Sequence, residues 1–113
     1  MLNDLIFKVF KLRDESHINH WTTDSYADHQ ALGDFYDEVI DLLDKYVEAY
    51  IGTFGKKEMM TTQDDVTDAI RHQLSWINDN RSELSKSVPA LENILDEIAG
   101  IYMKALFKLE NLR

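Results

Sequence analysis

The amino-acid sequence predicts an all-α fold, a single four-helix bundle domain over residues 1–113. Three observations predict it. Four glycines and one proline are too little punctuation for a many-stranded fold. Turn-forming residues gather at three places only. Between those places, apolar side chains recur with the period of a helix, on stripes wide enough to face a core.

The first helix is expected over about 2–21, where Leu2, Leu5, Ile6, Val9, Phe10 and Leu12 share one side. Thr22, Thr23, Asp24 and Ser25 follow, all residues that cap a helix N-terminus. The second helix, over about 26–51, carries Leu32, Phe35, Tyr36, Val39, Ile40, Leu43, Tyr46, Val47 and Tyr50 on one broad face. It would be about 39 Å long, and Gly52 and Gly55 are placed to end it. The third is expected over about 62–80, capped by Thr61 or Thr62, with Val66, Ala69, Ile70, Leu74 and Ile77 inward and a frayed end through Asn78–Arg81. Ser87, then Val88-Pro89, reads as cap and first turn of the last helix, over about 88–111. Its stripe runs from Leu91 and Ile94 through Ile98 and Tyr102 to Leu109. The link between the second and third helices is long enough for either a simple turn or an end-to-end crossover.

Charge narrows the function classes. Twelve basic residues stand against 21 acidic ones, a net of −9. Phosphate backbones and anionic membranes both require a dense positive face, so neither is an expected partner. The absence of cysteine excludes disulfides, thiolate metal sites and thiol catalysis. No apolar run approaches membrane-spanning length, and the first residues lack the pattern of a signal peptide, so a cytoplasmic (intracellular) location is expected.

The residues able to carry chemistry lie in the first half. His17, His20 and His29 fall close together, with His20 in the apolar stripe of the first helix and His29 in that of the second. An imidazole turned toward a core needs a hydrogen-bond or metal partner. The plainer reading of each is a half-buried group bonded to a carboxylate or to backbone. Along the second helix Asp37, Asp41, Asp44 and Glu48 form an acidic row beside the apolar face. Such a row keeps a protein soluble, or offers oxygen donors to a divalent cation. No Glu-x-x-His motif is present, which argues against a di-iron centre inside one bundle. Arg13 faces the first stripe and suits a carboxylate. His72 sits one turn from Asp68 as a surface pair, and Trp21 and Trp76 read as packing groups.

His20-Trp21, then His29, Phe35-Tyr36, Asp44 and Glu48, with a glycine soon after, resembles the start of the Dps branch of the ferritin-like proteins. The likeness covers about residues 10–52, and the last helix more loosely. It implies a ferritin-like bundle that self-associates as a homodimer or larger homo-oligomer. A metal site would then be shared between subunits, with His20 and His29 from one copy and Asp44 and Glu48 from another. Asp34 or Asp37 would have to substitute for the family's first acid, from a different helix angle, and His17 lies to the side of His20 on the first helix. Iron is the metal so implied, with zinc or another divalent ion as the alternative, and ferroxidase activity or iron sequestration as the function. The chain departs from the family at Gly33, where a carboxylate ligand is expected, and in the shorter step from His20 to His29. Its trimmed outline is also similar to small ferritin-like domains encoded by bacteriophages. The alternative, which Gly33 favours, is a metal-free helical structural or adaptor protein.

Overall fold

The computed structural model describes residues 1–112. Five helices follow in order: α1 (Leu2–Thr22), α2 (Tyr26–Phe54), α3 (Val66–Asp79), α4 (Arg81–Ser85) and α5 (Pro89–Asn111). There is no strand among the described residues, and the all-α class is what the sequence predicts. The chain divides into two compact units. One spans Met1–Met60, and the other takes the described chain from Thr61 onward.

In the first unit α1 and α2 form an antiparallel helical hairpin. Of the four capping candidates Ser25 caps α2, its hydroxyl accepting the Asp28 N–H at 3.2 Å. The helix passes through Gly52 and stops at Gly55, correcting the expected end at residue 51. The reason is conformational: Gly55 has φ +81, a region that other residues adopt only at a cost, whereas Gly52 keeps helical geometry. Leu2, Ile6 and Leu43 form the hairpin's buried core, with Val9, Ile40, Val47 and Tyr50 packed around it. Met59 and Met60 close over the same core. The Asn3 amide fastens them, donating to the Glu58 carbonyl and accepting the Met60 N–H, each at 3.1 Å. Leu5, Phe10 and Leu12, predicted inward, are exposed, because two helices alone cover only part of each stripe.

In the second unit α3 and α4 pack on α5. Here the expected boundaries need correction. Asp65, rather than Thr61 or Thr62, caps α3: its carboxylate accepts the N–H groups of Thr67 at 2.8 Å and Asp68 at 3.4 Å. The predicted frayed end is instead a break at Asn80 followed by α4. Arg81 holds α4 in place, reaching Asp96 at 2.7 Å and Glu92 at 3.3 Å on α5. Lys86 and Ser87 then take positive φ, 49° and 64°, so Ser87 belongs to the turn and Val88 is the cap, with Pro89 opening the helix. Ile77 and Ala99 are the buried apolar contacts, while Val66 and Ile94 of the predicted stripes lie open. Arg71 joins α3 to α5 through an ion pair with Glu110, and it also pairs with Asp68 on its own helix.

Candidate functional site

The three histidines meet at the turn end of the α1–α2 hairpin. α1 ends at Thr22, so the carbonyl of His20 is among the last-turn oxygens for which the helix has no N–H. The imidazole of His29, reaching across from α2, supplies one: its Nδ1 lies 2.7 Å from that oxygen. The contact is returned, with His20 Nδ1 2.5 Å from the carbonyl oxygen of His29. A carbonyl can only accept, so each Nδ1 must carry the proton and donate it. With Nδ1 so used, Nε2 is the nitrogen of each ring left for another partner. The rings lie face to face, with centroids 3.6 Å apart and planes at 17°.

Around this pair the aromatic side chains are layered. Tyr36 meets the His20 ring edge-on at 5.4 Å and stacks flat on His17 at 3.9 Å. Trp21 lies tilted against His17 at 4.3 Å, with much of its indole still open to solvent. Arg13 sets its guanidinium 5.2 Å from the Tyr36 ring centre and pairs with Asp14 at 3.2 Å. All three histidines are half-buried.

The carboxylates stand elsewhere. Asp37, Asp44 and Glu48 are exposed on α2. Asp44 lies fifteen residues beyond His29 on one continuous helix, about 22 Å along its axis, and Glu48 is a further turn away. Within one copy they cannot share a cation with the histidines. Among the described residues no group of three or more His, Asp or Glu is arranged to hold a metal ion. What one copy offers is two stacked imidazoles whose Nε2 atoms are not used in the bonds between them.

Gly33 has a positive reason to be glycine. A Cβ built there would stand 3.1 Å from Cε1 and 3.3 Å from Nδ1 of His20, closer than carbon normally approaches. Sequence reasoning read this position only as a missing ligand. The signal was present, since Gly33 lies one turn beyond His29 on the apolar face, where glycine marks a close approach. Tyr36 as the platform under His17 was visible only as part of the motif. In the second unit His72 does not hold Asp68, which is taken by Arg71 at 2.6 Å. Trp76 is exposed rather than packed. No helix of the described residues is long and apolar enough to cross a membrane.

The model of a family of unknown function, DUF5856, matches residues 20–109, a span that begins at His20 and includes the histidine pair. An uncharacterized 14.6 kDa protein from the mobD–ri intergenic region of Enterobacteria phage T4 is 30% identical over 96 residues. That alignment covers 82% of this chain and 75% of the phage protein. No solved structure matches.

Proposed function

We propose, for a chain that belongs to the DUF5856 family of unknown function, that it binds a divalent metal where two copies meet. Nε2 of His20 and His29 would come from one copy, and the carboxylates of Asp44 and Glu48 from the other. The observation that carries the reading is the reciprocal pair of Nδ1–H bonds to backbone carbonyls. Metal-binding histidines are commonly held in this way, with one nitrogen donating to a carbonyl so that the other faces the ion as a free base. Asp44 and Glu48, one turn apart on an exposed face, can reach a second copy but not their own histidines. His17 and Asp37 would lie at the margin, His17 steadying the pair through Tyr36.

In this reading the helices complete a ferritin-like four-helix bundle that self-associates, and the acidic surface raises the local concentration of cations. Iron would be cargo or substrate. Fe(II) held there could pass an electron to oxygen or peroxide and remain as Fe(III), whereas Zn(II) would only bind. Nucleic acid is not a proposed partner, given the net charge of −9.

Calorimetric titration of the metal-free protein with Zn(II), and anaerobically with Fe(II), tests the site. Saturable binding is expected for the wild type, with loss in both His20→Ala and Glu48→Ala. Matching isotherms for all three proteins would end the reading.

A second reading has its own observation. Each histidine's Nδ1 already meets the other's backbone carbonyl, and Gly33 leaves the His20 ring room that a Cβ would crowd. A metal-free helical interaction protein needs nothing more. Elemental analysis separates the two: stoichiometric metal surviving dialysis counts against the metal-free form.

A further inference from the structure

We infer that Gly33 is a positioning residue that fixes the protonation pattern of the histidine pair. The carbonyl of His29 lies inside α2, where it already accepts the N–H four residues on, that of Gly33. On a helix, a side chain covers the turn N-terminal to its own Cα, so any residue other than glycine at position 33 would lie over that carbonyl. With no side chain there, the second lone pair of the oxygen is open, and the His20 imidazole reaches it at 2.5 Å.

The fit leaves little slack. A Cβ at position 33 would press on Cε1 and Nδ1, the edge of the ring that makes the bond. The ring is held against His29 at 3.6 Å and against Tyr36 at 5.4 Å, so retreat would loosen the stack or the hydrogen bond. Gly33 thereby keeps the His20 proton on Nδ1 and its lone pair on Nε2. The inference deepens the proposed metal site, on which it rests only for what Nε2 is used for.

Two-bond proton–nitrogen spectra of the imidazoles, recorded at about pH 8.5, above the usual titration range of histidine, read the tautomer directly. The wild type is expected to show Nδ1–H on both His20 and His29. Gly33→Ala is expected to move His20 toward Nε2–H, the form an unrestrained histidine prefers, with helical circular dichroism retained. Zinc affinity in that variant should fall 10–100-fold. Gly52→Ala, whose added carbon meets nothing within 4 Å, is the control and should keep both tautomers. Nδ1–H retained at His20 in Gly33→Ala would overturn the inference, as would a wild-type His20 protonated at Nε2. If Gly33→Ala loses its helical signal, a wild-type His20 protonated at Nε2 still overturns the inference. A wild type with both Nδ1 protons in place and no zinc uptake would remove the metal reading and leave the role of Gly33 standing.

Discussion

At the scale of single residues, glycine gives the sharpest test, because helix propensity and packing pull in opposite directions. Replacing a helical glycine by alanine normally gains about 0.5–1 kcal/mol. Gly52 and Gly100 have open space where the methyl group would go, so Gly52→Ala and Gly100→Ala should each raise stability by that amount in urea denaturation. Gly33→Ala should show no gain or a net loss, since the same methyl group meets the His20 ring. Tyr50 supplies a second residue-scale expectation. Its hydroxyl donates to the Glu58 carboxylate, and this bond, with the nearby negative charge, raises the phenol above its ordinary value of 10.0. A raised phenol favours the folded state below the ordinary tyrosine range, and that contribution disappears as pH climbs through the raised value. Phenolate absorbance should therefore include one tyrosine that ionises late, missing in Tyr50→Phe and normal in Glu58→Gln.

At the scale of elements, the caps and breaks carry the argument. Asp65 satisfies two N–H groups at the start of α3, so Asp65→Ala should cost about 0.5–2 kcal/mol of the second unit's stability, with the first unit's His20 and His29 resonances unmoved. Lys86 and Ser87 hold positive φ without being glycine. Lys86→Gly should stabilise the α4–α5 turn by up to about 1 kcal/mol, readable as a rise in melting temperature. These same places show what was legible beforehand. Periodicity located the long helices because apolar stripes repeat many times, and the run Thr22–Ser25 marked the start of α2 without singling out its cap. The start of α3 was misplaced because Thr61, Thr62, Asp64 and Asp65 are all plausible caps, and only the backbone decides which carboxylate faces the free N–H groups. α4 was hidden because its five residues are too short to display a period. The histidine cluster could be anticipated from spacing, but the bonds between the rings and the two backbone carbonyls could not, since they depend on where α1 ends.

For the whole molecule, the account turns on association. Several large apolar side chains are open on each unit, among them Leu42 at 64% and Ile101 at 69% exposure. In the proposed dimer a second copy covers part of this apolar surface. The proposed two-fold pairing sets each copy's histidines against the other's acidic row, and such an interface presents the same patch from both sides. Sedimentation velocity at micromolar concentration should then find a dimer or larger species. The most direct measurement of the central claim is metal binding by mixed variants. His20→Ala retains Asp44 and Glu48, and Glu48→Ala retains both histidines, so a mixed dimer contains one complete set of donors. Unfolding and refolding the two together should restore zinc binding that neither has alone, at a fraction of the wild-type stoichiometry. A mixture that binds no more zinc than its separate components would contradict a site built from two copies.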